Sequence, residues 1–120
     1  MGGLFLRYRS SRQSKAKSFD KKTRENIAVR DGGCIFCQAQ RWQGGDAFEQ
    51  SIFDTVHIIN RSQGGLGIET NGVCGCRYHH SLLDNGSKGY REEMLAYAKG
   101  YLKRIYPGWK EEDQLYNKYA

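Results

Sequence analysis

Cysteine and histidine carry most of the reactive chemistry in this chain. Cys34 and Cys37 form a C-x2-C knuckle, a tight turn that brings two thiolates to one side of a metal. Cys76 and His79 repeat that spacing further along. Together the two pairs offer three thiolates and one imidazole, a closed tetrahedral donor set for Zn²⁺. Cys74 competes with Cys76 for a place in that set, because the two form a C-x-C, and spacing alone leaves the choice open. A redox pair at Cys34 and Cys37 is the other use of such a knuckle, but the flanking residues do not read as a strand leading into a redox helix. All the histidines, His57, His79 and His80, lie between Phe53 and Gly86. A neutral histidine near its ordinary pKa is a suitable proton acceptor at neutral pH. Asp84 follows His80 by four positions. On a helix that spacing puts both side chains on one face.

The elements that must position these groups can be read from pattern and turn chemistry. Residues 53–86 read as strand, glycine-rich turn, strand and helix. β-branched and aromatic residues predict the first strand over residues 51–59, with His57 near its end. Residues 61–70 contain Gly64, Gly65 and Gly67 and must turn sharply; they lack the Gly-Lys-Ser/Thr ending of a phosphate-cradling loop. Residues 71–73 lead a short second strand into CGCRYHH, and a brief helix ends at Asn85-Gly86. Upstream, Asp20 can cap a helix running to about Arg30, which Asp31-Gly32-Gly33 stops. Residues 38–50 read as a polar loop, with Trp42 closing over a small core. Residues 90–105 form the longest predicted helix, with Tyr90, Met94, Tyr97, Ala98, Tyr101, Leu102 and Ile105 at helical spacing. Gly100 inside it is expected to mark a close approach of another element. Pro107-Gly108 ends that helix, Trp109 folds back, and residues 114–119 are expected to add a last turn.

The chain has 120 residues, the length of one domain, and a core this modest is helped by a structural metal. Its net charge is +6 and its pI about 9.2, which makes nucleic acid a candidate partner. Residues 1–18 are rich in Lys, Arg and Ser without periodicity and are expected to be a loose basic arm. In it, Arg7, Arg9, Arg12, Lys15 and Lys17 would track a phosphate backbone. No apolar run approaches the roughly 20 residues that span a bilayer. The N-terminus is too weakly apolar for a secretory signal, and Leu6 stands where the myristoylation pattern wants Ser or Thr. A cytosolic protein with reduced thiols, free to bind metal, is therefore expected.

The joint order of His57, the R-S-x-G-G of residues 61–65, Asn71, the second knuckle and His80 resembles the HNH endonuclease family. The resemblance implies an α+β fold: a ββα-metal (His-Me finger) core with a structural zinc knuckle and flanking helices. It implies one nuclease domain over residues 19–120, with the core at 34–86 and a C-terminal helical extension at 87–120. His57 would be the general base that activates water, Asn71 the brace of the loop that orients it, and His80 a ligand of a catalytic divalent metal. Arg61, just past His57, would hold a phosphate oxygen. The family's second knuckle favours Cys76 over Cys74, with His79 standing where a cysteine is usual. Many members carry a metal ligand immediately before the base; here that position is Val56. The metal (Mg²⁺, Mn²⁺ or Ni²⁺) would then rest on His80 and Asp84 with waters, on Asp54 from the same strand face, or on Asn71.

The implied activity is metal-dependent hydrolysis of DNA phosphodiesters, nicking or cutting duplex DNA with little sequence readout. Residues 101–119 look like the tail of small phage-associated members, which implies phage or prophage DNA processing, packaging proteins as partners, and the cytoplasm of a bacterial host. The alternative is a zinc-stabilised DNA- or partner-binding module without catalysis.

Overall fold

The computed structural model describes residues 12–86 and 88–117. The chain is α+β, with a two-stranded antiparallel sheet and helices around it. The helices are α1 (residues 12–17), α2 (Lys21–Asp31), α3 (Ile35–Gln38), α4 (Ala47–Ser51), α5 (Arg77–Asn85) and α6 (Arg91–Ile105); the strands are β1 (Phe53–His57) and β2 (Gly72–Cys76). Strand register sets Phe53 opposite Cys76, Val56 opposite Val73 and His57 opposite Gly72. The chain passes from β2 straight into α5, so sheet and helix form one continuous unit.

Local chemistry accounts for most boundaries. Asp20 caps α2 by accepting the Thr23 N–H at 2.8 Å, and Gly32 closes it in the left-handed conformation. The strand expected at residues 51–59 is shorter, because Ser51 ends α4 and Ile58 already bonds back to the Asn71 carbonyl. α4 occupies part of the expected loop at 38–50. Asp46 and Glu49 build a reciprocal capping box at its start, the D-x-x-E relative of a recognised helix-start signature. Residues 74–76 belong to the second strand, and the helix begins only at Arg77.

Met94, Ala98 and Leu102 form the buried stripe of α6 and share one apolar cluster with Phe36, Val56, Val73, Cys76, Leu83 and Trp109. The C-terminal segment is thus part of the same core as the hairpin. Gly100 makes no close approach: a side chain there would meet only the flexible end of Arg104. Trp109 folds back as expected, and its indole N–H donates to the Thr70 carbonyl. The last turn lies earlier than expected, at Glu111–Gln114, and Leu115 then bridges Gly65 in extended form.

The expected loose arm over residues 1–18 is not what residues 12–18 show. They are helical through residue 17, and the Ala16 carbonyl accepts the Gly67 N–H at 2.9 Å. Arg7 and Arg9 lie outside the described residues. No helix among the described residues is long and apolar enough to cross a membrane.

Candidate metal centre and catalytic cleft

The two knuckles are built alike. Cys34 is the N-cap of α3 and Cys76 the N-cap of α5. Each sulfur accepts the backbone N–H of the residue three positions on, Cys37 at 3.4 Å and His79 at 3.5 Å. Each knuckle is therefore one helix start, with ligands at the cap and three residues into the helix. The packing of α3 against β2 and α5 brings the two starts together. Nδ1 of His79 lies 3.5 Å from the Cys34 sulfur, 3.5 Å from that of Cys37 and 3.2 Å from that of Cys76, while the Cys37 and Cys76 sulfurs are 3.7 Å apart. Zinc–sulfur bonds of about 2.3 Å and tetrahedral angles require edges of roughly 3.5–3.8 Å, so the four donors could hold a metal such as zinc. The other ring nitrogen of His79 donates to the Arg41 carbonyl at 3.1 Å. That bond leaves the Nδ1 lone pair facing the thiols, the tautomer a metal requires. Burial, with Cys34 and Cys76 close by, pushes the Cys37 thiol up to about 12. A dication removes that obstacle, since it repays the charge that crowded thiolates repel.

Cys74 is not one of the converging donors. It packs with Phe19 and Ile27, and burial, then the neighbouring Asp31 carboxylate, raise its thiol to about 11. It behaves as a small apolar side chain.

Across the hairpin, His57, Arg61, His80 and Asp84 line an open cleft of about 640 Å³, together with Arg24 and Arg77. His57 ends β1. Its Nε2–H donates to the Lys17 carbonyl at 2.7 Å and its ring lies 4.1 Å from that of Phe19. Nδ1 is therefore the bare nitrogen. Burial holds its pKa below the ordinary value, opposed by the Lys17 bond and assisted by Arg61 and His80.

Asn71 is fully buried and wholly committed to the loop after β1. Its Oδ1 accepts the Ile59 N–H at 2.8 Å, and its Nδ2 donates to the carbonyls of Ile59 at 3.1 Å and Leu66 at 2.8 Å. Both its polar atoms are thereby engaged in bracing that loop.

His80 stands between two carboxylates: Nδ1 is 3.0 Å from Asp54 and Nε2 is 3.2 Å from Asp84. Asp54, Asp84 and His80 are thus neighbours, but they do not converge on one point as the thiols do. Arg77 grips Asp54 through Nε at 2.9 Å and Nη2 at 3.2 Å and, with His80, holds that carboxyl below the usual range. Val56 is buried in the core opposite Val73. The carboxylate that reaches His80 from β1 comes instead from Asp54, two residues earlier on the same face.

Arg61 is exposed and points its Nη2 toward Ser14 at 3.4 Å. Arg12 and Lys15 are exposed on α1, and Lys17 is half-buried beside the cleft. Sequence reading missed Arg24 and Arg77. Arg77 was within reach, because i to i+3 spacing from His80 and antiparallel pairing both bring it beside Asp54. Arg24 needed the packing of α2, which sets it at the cleft with His57 and His80. Comparison with protein-family models, curated proteins and solved structures returned no match.

Proposed function

We propose that this protein is a metal-dependent DNA endonuclease with an HNH-type ββα-metal core. The observation that carries this reading is the gathering of His57, the Asn71-braced loop and His80 around one cleft bordered by Arg24, Arg61 and Arg77. His57 supplies the proton acceptor: its bare Nδ1 takes a proton from water while Nε2–H stays on the Lys17 carbonyl. The cleft arginines hold phosphate oxygens by charge-assisted hydrogen bonds, and the Asn71 brace keeps the strand end that bears His57 in place.

A divalent cation fits the Asp84 side of His80. Asp54, anchored by Arg77, keeps the proton on Nδ1, which leaves the Nε2 lone pair facing the Asp84 carboxylate. Bound there, a cation would supply Lewis-acid stabilisation of charge on the phosphate and leaving oxygens. In this assignment Asp54 orients His80 instead of serving as a ligand. The Cys34, Cys37, Cys76 and His79 set is proposed to hold structural zinc. The proposed setting, phage or prophage DNA processing or packaging in a bacterial cytoplasm, rests on the resemblance alone.

A second reading, a zinc-stabilised binding module without catalysis, is favoured by Val56 in the core and by the two carboxylates already engaged on His80. One assay separates the two. Supercoiled plasmid is incubated with zinc-loaded protein and Mg²⁺, Mn²⁺, Ni²⁺ or EDTA, with wild type and His57→Ala side by side. The nuclease reading expects metal-dependent conversion to open circles, reduced about 10²–10⁴-fold in His57→Ala. Binding of DNA without conversion under any metal selects the module.

A further inference from the structure

The segment ahead of α2 does more than carry positive charge. Residues 12–17 are helical, and Ser18 closes the turn through its N–H to the Lys15 carbonyl at 3.2 Å and its hydroxyl to the Ser14 carbonyl at 2.8 Å. The segment lies on the glycine-rich loop, where the Gly67 N–H bonds the Ala16 carbonyl. The contact at Gly67 is so close that a Cβ there would overlap the Ser18 carbonyl carbon and oxygen. Phe19 is buried with Ile27 and Cys74 and sits beside the His57 ring. Between these anchors the Lys17 carbonyl, forty positions from His57 in sequence, meets Nε2 at 2.7 Å.

We propose that residues 12–18 are a positioning element of the cleft: seated on Gly67, they present the Lys17 carbonyl to His57 and thereby fix the tautomer in which Nδ1 accepts protons. Neutral imidazole has two tautomers of similar energy, and one strong acceptor at Nε2 selects between them. A carbonyl can only accept, so it enforces Nε2–H. Unseating the segment removes that choice while the His57 and Asn71 side chains themselves stay unaltered. The consequence for cleavage rests on the endonuclease reading; the structural claim does not. The rival role, a basic arm that only holds DNA, requires no particular tautomer.

The experiment is long-range ¹H–¹⁵N NMR of the His57 imidazole in full-length, zinc-loaded protein, at a pH well above the ordinary histidine value. Wild type is compared with Gly67→Ala, which pushes Ser18 away, and with Ser18→Pro, which drives Lys17 out of helical geometry. The proposal expects a single Nε2–H form in wild type and a tautomer mixture in both variants. Plasmid cleavage at saturating protein should then fall about two- to fivefold, in step with the lost Nε2–H fraction and far less than in His57→Ala, with DNA affinity changed by less than about twofold. A wild-type ring in the Nδ1–H form, or variants that keep a pure Nε2–H form, overturns it. Should the substitutions cost the fold, read as loss of bound zinc, the wild-type spectrum still decides. The expected tautomers in a protein that cuts no DNA would sink the endonuclease reading and leave this proposal standing.

Discussion

Two adjacent histidines do different work because a helix turns its side chains by about 100° per residue. His79 is buried at 1 % exposure among three sulfurs, whereas His80 lies half-exposed between two carboxylates. His57 differs again: burial favours its neutral form, so its pKa lies below the ordinary 6.5. The sign follows from linkage. A histidine with a depressed folded pKa contributes stability at pH above 6.5, and that contribution is lost as pH falls through the folded value. Under the proposed endonuclease function, His57 would therefore stay competent as a base below pH 6.5. An NMR titration of the His57 ring should give a midpoint under 6.5, with the acid limb of cleavage following it; a midpoint at or above 6.5 would contradict the burial argument.

At the scale of elements, the loop between the strands is the least regular part of the cleft and the most heavily tied. Asn71 holds it from within, the Ala16 carbonyl from the N-terminal side, and Gln114 and Leu115 from the C-terminal side through Leu66 and Gly65. Asn71→Ala removes three hydrogen bonds and leaves buried backbone groups unpaired, which should destabilise the fold by about 2–4 kcal/mol. Urea unfolding with zinc present measures this. A loss under about 1 kcal/mol would mean that the loop is held mainly by its other ties.

For the molecule as a whole, two long-range devices close the fold. One is the pair of knuckles, which joins the end of α2 to the start of α5. The other is a buried polar network. Arg30 bonds Asp31, Tyr106 and the carbonyls of Glu69 and Gly72; Asp31 in turn accepts the Cys74 N–H and the Tyr101 hydroxyl. The network ties α2 to β2 and α6. Metal binding at the knuckles should act as folding free energy. Cys76→Ser is expected to lose bound zinc and cooperative unfolding, while Cys74→Ser keeps one zinc per chain. Native mass spectrometry and thermal unfolding test the pair, and zinc loss in Cys74→Ser would reassign the site.

The sequence by itself determined whatever depends on near neighbours in the chain. The two knuckles, the cap at Asp20, the buried stripe of α6 and the strand–turn–strand–helix order follow from spacing and turn chemistry, and the α4 capping box was equally legible in Asp46 and Glu49. Distance in space was decided only by the tertiary structure. Cys74 and Cys76 offer the same chemistry two residues apart, and packing put one among thiols and the other beside Phe19. Arg24 reaches the cleft because α2 lies where it does, and Asp54 reaches His80 because α5 crosses the hairpin. Residues 12–18 read as a loose basic arm, since no local pattern can show that a carbonyl will meet a histidine forty positions away. Such a contact forms only once burial of Phe19 and the close approach at Gly67 have fixed where the backbone runs.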